Sequence, residues 1–155
     1  MAEPANKVLI YTRNHVTNGK GFVHDNIETS VAALKEICAE KGITCDASDQ
    51  PAVFTAENLK QYKALVFANS NNEAFSDPAQ SKAFVEFVEN GGGFVGIHSA
   101  SGSERSNPDF KRVIGGRFVW HTANQKFTVV VADRKHPSTM ALPERWEWKD
   151  EGYLC

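Results

Sequence analysis

The sequence predicts an α/β fold in which a mostly parallel sheet is covered by helices on both faces. Two observations support this prediction. Short, almost continuously apolar runs alternate along the chain with longer segments whose apolar residues recur at helical spacing. The helical segments also begin at capping residues and end at glycines. Continuous apolar strands are typical of parallel sheets buried on both faces, and their connections should be right-handed crossovers.

The first half of the pattern is a strand, a helix and a strand. The apolar run KVLIYT predicts strand one over residues 7–12. After a polar loop, residues 25–42 predict a helix that Asp25 caps and Gly42 ends. Residues 43–48 predict strand two.

The pattern then repeats with clearer capping signals. A short helix with Thr55 as its N-cap precedes strand three, which is predicted over residues 63–69. The next helix opens with Asp77 as cap and Pro78 at its first position, and it ends at glycines. The run FVGIH, residues 94–98, predicts strand four.

After strand four the pattern loosens. Residues 107–116 predict one short helix, and residues 126–134 predict a strand added to an edge of the sheet. Residues 136–155 are predicted to be extended and rich in turns. A doubly wound domain usually closes with one more strand and helix. Two interpretations therefore stay open: a single domain over residues 1–155 that is C-terminally incomplete, or an unusually short one.

Composition restricts the function. The net charge is -2 and acidic and basic residues are interleaved, which argues against nucleic-acid binding because that needs clustered Lys and Arg. The N-terminus has no run long enough for a signal peptide or a membrane span. Three cysteines without metal or redox spacing suit a reducing compartment. We therefore expect a cytoplasmic protein with no membrane or nucleic-acid partner. Assembly into a homo-oligomer is left open.

Candidate ligand-binding residues lie in the loops after the predicted strands. In an open parallel sheet, ligands bind outside the carboxyl ends of the strands. Asn69 follows strand three and Ser99 follows strand four, while Gln125 lies in the predicted edge segment. Short polar side chains suit a polyhydroxylated ligand such as a sugar. The alternative is that loops are polar in any protein.

His98 stands where many α/β enzymes hold a nucleophile. The run Gly96-Ile97-His98-Ser99-Ala100 approximates the G-x-nucleophile-x-G elbow. Imidazole acts far more often as acid, base or ligand than as a nucleophile. A serine next to His98 is a further candidate nucleophile, but the sequence shows no spacing typical of a Ser-His-acid triad.

A metal site is a weaker interpretation. His24, His98 and His121 with Asp25 have the ligand types of a catalytic zinc site. No H-x-H or H-E-x-x-H spacing is present, so we assign no metal ligand and leave the cofactor unknown.

Two aromatic and acidic features lie near the end of the chain. Trp146 and Trp148 alternate on one extended segment and therefore share a face, where they could stack on a sugar or pack at a strand edge. Asp150 and Glu151 are adjacent, and in an extended chain they point to opposite faces.

Several segments together resemble the ThuA-like (trehalose utilisation) domain of the class I glutamine amidotransferase-like superfamily. They are FVHDNIE at 22–28, GGGFVGIHSA at 91–100, HTANQKFTVVVADRKHPST at 121–139 and LPERWEWKDEGY at 142–153. The resemblance implies a three-layer flavodoxin-like fold and a carbohydrate ligand. It also implies that histidine replaces the elbow cysteine of the amidotransferases, which argues against glutaminase chemistry.

The resemblance completes the list of site residues. It implies that His24, Asp25, His98, His121, Asp150 and Glu151 line the cleft. We expect His98, His121 and Glu151 to be catalytic. The residues expected to bind substrate are His24, Asp25, Asn69, Ser99, Gln125 and Asp150. Such a site would act on a sugar or keto-sugar as a hydrolase or isomerase does. The alternatives are a non-catalytic carbohydrate-binding or assembly module, and a flavin or nucleotide binder.

Overall fold

The computed structural model describes residues 6–155, and the chain divides into two compact units. The first runs to Phe118 and the second is Val119–Cys155. The expectation of a single domain over residues 1–155 stays a prediction. Within residues 6–155 no helix is both long enough and apolar enough to cross a membrane.

A four-stranded parallel sheet forms the centre of the first unit. Its strands are β1 (Lys7–Tyr11), β2 (Thr44–Ser48), β3 (Ala64–Ala68) and β4 (Gly93–Ile97). They stand in the order β2-β1-β3-β4, and every neighbouring pair is parallel. The predicted α/β class is therefore confirmed. Strand four ends one residue earlier than predicted, because His98 leaves the extended conformation and starts a 3₁₀ helix.

Helix α1 (Ile27–Glu40) covers one face of this sheet and contacts β2 and β3. The prediction that Asp25 caps it is wrong, because Asn26 occupies the N-cap position. Asp and Asn are equally good caps, so residue type alone cannot resolve a shift of one position. Gly42 follows the last turn with a φ of 64°, the left-handed conformation that ends many helices.

Three shorter helices pack on the other face. They are α2 (Ala56–Leu59), α3 (Pro78–Glu89) and α4 (Pro108–Ile114). The predicted caps are confirmed: Thr55 Oγ1 accepts from the Asn58 N–H at 3.1 Å, and Asp77 Oδ1 accepts from the Ala79 N–H at 2.7 Å. Such caps satisfy backbone donors that have no partner inside the helix.

Aromatic rings fill the space between the sheet and these three helices. Each of them is at most 6% exposed, and contacting rings lie between 4.7 and 6.4 Å apart, centroid to centroid. The set comprises Tyr11, Phe54, Phe67, Phe75, Phe84 and Phe110. Burial of each ring stabilises the fold by about 1.5–3 kcal/mol, so this cluster holds the sheet and fixes the loops at its edge.

The second unit contains only short antiparallel pairs. Strand β5 (Trp120–His121) pairs with β8 (Tyr153–Leu154), and β6 (Gln125–Val130) pairs with β7 (Arg145–Asp150). The prediction that residues 126–134 extend an edge of the parallel sheet is wrong, because β6 and β7 form a separate two-stranded sheet. The segment over residues 136–155, which was predicted to be extended and turn-rich, contains β7, the partner strand of β6.

The tryptophans are confined to this second unit. Trp146 lies opposite Val129 and Trp148 lies opposite Phe127 in the β6–β7 register. The two indoles therefore share one face, as predicted. The chain has three tryptophans, and the third, Trp120, begins β5.

Candidate functional site

The order of the strands places the candidate site of the first unit. From β1 the chain moves outward to β2 and then returns to form β3 on the other side of β1. The switch point therefore lies between the carboxyl ends of β1 and β3, where open α/β sheets bind ligands. Asn14 follows β1, and its Nδ2 donates to the backbone oxygen of Asn69, which follows β3, at 2.9 Å.

Asn69 is held rigidly at this point. It is 1% exposed and has a left-handed backbone φ of 53°, which Asn tolerates better than most residues. Its Nδ2 donates to Asn26 Oδ1 at 2.9 Å and to Ser30 Oγ at 2.7 Å. These two acceptors fix which way the amide faces, because Nδ2 must point toward them. The carbonyl oxygen of the side chain therefore points away from Asn26 and Ser30.

Buried polar atoms without a hydrogen-bond partner collect at this edge of the sheet. Within residues 6–155 they are Arg13 Nε, Asn14 Oδ1, Asn69 Oδ1 and Ser99 Oγ. All four follow the carboxyl end of β1, β3 or β4. Buried polar groups are almost always hydrogen-bonded, so each exception needs an explanation such as a water or a ligand. Three of the four follow β1 or β3, at the switch point, where ordered water or a polar ligand would satisfy them.

His98 occupies a strained elbow directly after β4. Its φ of 51° is left-handed, and a 3₁₀ helix begins at the same residue. A Cβ built on Gly96 would lie 3.2 Å from the Cβ of Ala100, so small side chains are needed on both sides of the turn. This is the geometry of a nucleophile elbow, with an exposed imidazole in place of the nucleophile.

The structure brings His24 and His98 together. Their ring centroids lie 4.4 Å apart with the rings inclined by 68°. The ring of Phe22 contacts His24 in turn, at 4.8 Å. Asp25 is exposed at the approach to α1. Of the residues predicted to line the cleft, His24 and His98 are therefore in contact. Asn69 and Ser99, which were predicted to bind substrate, follow the neighbouring strands β3 and β4.

The second unit contains another imidazole–carboxylate pair. His121 Nδ1 lies 3.4 Å from Glu151 Oε1 and 2.9 Å from the backbone oxygen of Thr122. Both neighbours are acceptors, so the geometry places a proton on Nδ1. Tyr153 donates to Glu151 Oε2 at 2.9 Å. Burial, followed by the Glu151 carboxylate, raises the pKa of Tyr153 to about 12.

The two other predicted residues of this unit lie opposite each other. Gln125 pairs with Asp150 in the β6–β7 register. Asp150 Oδ1 accepts from the backbone N–H of Glu151 at 2.8 Å, and Oδ2 accepts from Trp148 Nε1 at 3.2 Å. The predicted convergence of His121 with His24 and His98 joins residues of different units and stays a prediction.

The described residues offer no ready metal site. Across residues 6–155 no group of three or more His, Cys, Asp or Glu side chains could hold a metal ion. In the first unit the contact between His24 and His98 is an edge-to-face ring contact. We therefore assign neither residue as a metal ligand.

Phe22 and Tyr153 were not among the residues predicted for the site. Asn14 follows strand one just as Asn69 follows strand three, and the carboxyl-end rule selects it among the polar residues of that loop. Tyr153 lies two residues after Glu151 in the quoted segment DEGY. Nothing in the sequence shows that Phe22 stays exposed, because exposure depends on tertiary packing.

The fold and the elbow define a class: an α/β protein with a doubly wound parallel sheet whose elbow presents an imidazole. More narrowly, the chain belongs to the ThuA family, described as trehalose utilisation, whose model matches residues 7–155. The predicted resemblance is therefore confirmed. Comparison with curated proteins gives no match.

Two solved structures are similar to this chain. A ThuA-like protein from Bacteroides uniformis ATCC 8492 is 27% identical with a TM-score of 0.76, and the match covers 99% of this chain and 62% of that one. A ThuA-like protein from Parabacteroides merdae ATCC 43184 is 22% identical with a TM-score of 0.69, covering 97% of this chain and 62% of that one, and it supports the fold alone. The chain thus spans less than two thirds of the length of both.

Proposed function

We propose that the first unit binds a sugar or keto-sugar at the carboxyl ends of β1, β3 and β4 and acts on it through His98. One observation carries the proposal. The buried polar atoms that lack a partner within residues 6–155 all follow these three strands. Protein interiors leave such atoms only where another group satisfies them.

The types of these atoms favour a ligand with hydroxyl groups. The carbonyl oxygens of Asn14 and Asn69 only accept, whereas Arg13 Nε only donates. A hydroxyl group both donates and accepts, so it can satisfy either kind of atom. A fully ionised anion without hydroxyl groups, such as sulfate, offers acceptors alone and would leave both amide oxygens without a donor.

His98 is the acid or base in this proposal. An imidazole changes charge near neutral pH and can transfer a proton in either direction. The strained elbow fixes its backbone, and the ring of His24 at 4.4 Å restricts where its ring can lie. His24 and Asp25 orient the substrate. Participation of His121 and Glu151, with Gln125 and Asp150, stays a prediction.

Binding is tested by calorimetry with trehalose, glucose and a keto-sugar as probes. Ser99→Ala removes a hydroxyl oxygen that has no partner within residues 6–155, so the fold should tolerate it. Loss of one neutral hydrogen bond costs about 1 kcal/mol, so we expect affinity to fall about fivefold. Ser106→Ala, an exposed serine in the loop before α4, is the matched control and should bind as the native chain does. Absence of heat and of turnover with every probe would count against the proposal.

Catalysis is separated from binding by His98→Asn. Asparagine tolerates a left-handed backbone, so this variant keeps the elbow and removes the imidazole. We expect sugar binding to persist and any turnover to stop. Binding without turnover in the native chain would instead favour the alternative, a carbohydrate-binding or assembly module.

A further inference from the structure

Phe22 is a large apolar side chain that stays in solvent beside the paired histidines. It is 63% exposed. Its ring meets the ring of His24 edge-on, with centroids 4.8 Å apart at 71°. His24 meets His98 at 4.4 Å, so one ring separates Phe22 from the proposed acid or base. Scattered exposed apolar residues need no explanation, but this one adjoins the candidate site.

Two hydrogen bonds anchor the backbone carbonyl group of Phe22. The Phe22 oxygen accepts from Asn71 Nδ2 at 3.1 Å and from Asn72 Nδ2 at 2.9 Å. Asn71 is itself 4% exposed, and its Oδ1 accepts from Arg105 at 3.2 Å. The residue before Phe22 is Gly21, where a Cβ would lie 2.5 Å from Asn72 Oδ1. A larger residue at position 21 would require the Asn72 side chain to move, so the loop packs closely against that side chain.

Such anchoring matters for binding. A side chain on a mobile loop loses conformational freedom when it contacts a ligand, and that loss weakens binding. Phe22 has two χ angles and a fixed backbone, so little freedom remains to be lost. An exposed ring held in this way is preorganised to contact something outside the protein fold.

We propose that Phe22 is the stacking platform of the site, on which the C–H face of a sugar ring lies. This inference rests on the proposed function and names a residue that determines its specificity. A sugar ring has an apolar face and a polar rim. The Phe22 loop contacts the loop after β3 through Asn71 and Asn72 and the elbow after β4 through His24 and His98, so a sugar on Phe22 would lie beside the polar loops at the carboxyl ends of these strands. The expected role of the tryptophans in sugar stacking is not needed for this arrangement.

The test compares Phe22 variants by calorimetry with trehalose and glucose as probes. An aromatic contact of this kind is worth about tenfold in affinity, so we expect Phe22→Ala to bind about tenfold more weakly. Phe22→Trp restores an aromatic face and should bind at least as well as the native chain. Ile37→Ala is the matched control, because Ile37 is 53% exposed near the far end of α1. It should leave affinity unchanged.

The outcomes separate the two proposals. If the native chain binds the probes and Phe22→Ala binds within about twofold of it, the stacking role is overturned and the sugar site stands. A native chain that binds no probe overturns the sugar site and the stacking role together. If Phe22→Ala weakens binding and Phe22→Trp does not restore it, the ring does not act as a stacking face. Circular dichroism confirms that each variant is folded.

Discussion

Replacing Glu104 by alanine would remove a carboxylate that ties the loop after β3 to the segment that follows the elbow. Glu104 Oε1 accepts the backbone N–H of Ala74 at 2.9 Å and that of Phe75 at 3.1 Å. Oε2 lies 3.4 Å from Asn107 Nδ2. Ala74 is 0% exposed and Phe75 is 6% exposed, so the carboxylate shields both donors from solvent.

The cost follows from these contacts. A hydrogen bond to a charged group contributes about 1.5–3 kcal/mol, and a buried donor left without a partner costs about 1–3 kcal/mol. Both backbone donors share one oxygen, so the two bonds are not independent. We expect Glu104→Ala to lower the free energy of unfolding by about 2–4 kcal/mol.

Urea unfolding followed by far-ultraviolet circular dichroism measures this change. The midpoint should fall while the slope stays constant, because the surface exposed on unfolding is the same. Glu104→Gln keeps a carbonyl acceptor and loses the charge, so it should lie between the native chain and Glu104→Ala. Glu57→Ala is the control, since Glu57 is 87% exposed and pairs with Lys60 on the surface. A change below about 0.5 kcal/mol for Glu104→Ala would refute the reasoning.

Three further results are expected. Burial raises the pKa of every tyrosine in the chain, so ultraviolet titration of the folded protein should show no tyrosinate step at about pH 10, while the unfolded chain should show one. These tyrosines are Tyr11, Tyr62 and Tyr153. Burial also raises the pKa of the Cys38 thiol, so the exposed Cys155 should react first with a thiol reagent, and a fast phase that survives Cys155→Ser would contradict this. Hydrogen bonds from Lys7 and Tyr62 lower the pKa of Asp46. Its contribution to stability is therefore present above the unfolded pKa of about 4 and lost as pH falls through the lower folded pKa. Asp46→Asn should destabilise the protein at neutral pH and not in strong acid, and an unchanged difference in acid would argue against this.

The parts of the fold that depend on neighbouring residues could be predicted from the sequence. Thr55 and Asp77 cap their helices as expected because capping involves atoms two or three residues apart. The partner of β6 could not be predicted, because a strand pattern does not say which other strand it meets. Its partner, β7, lies 15 or more residues away along the chain.

The candidate site likewise has some features that the sequence predicts and others that it does not. The carboxyl-end rule selected Asn69, Ser99 and His98, since it needs only the positions of the strands. The contact between His24 and His98 depends on how the loop after β1 folds back. The orientation of the Asn69 amide depends on acceptors that α1 and its N-cap supply. These features arise from tertiary packing, which residue type alone does not encode.

Because of where the tryptophans lie, fluorescence and circular dichroism report on different parts of this chain. All three indoles lie in Val119–Cys155, whereas every helix lies before that segment. Intrinsic emission therefore follows one part of the polypeptide during denaturation, and helical ellipticity follows the other. If the fluorescence and circular dichroism unfolding curves coincide, both parts unfold in one cooperative transition. If the two curves separate, each part has its own free energy of unfolding.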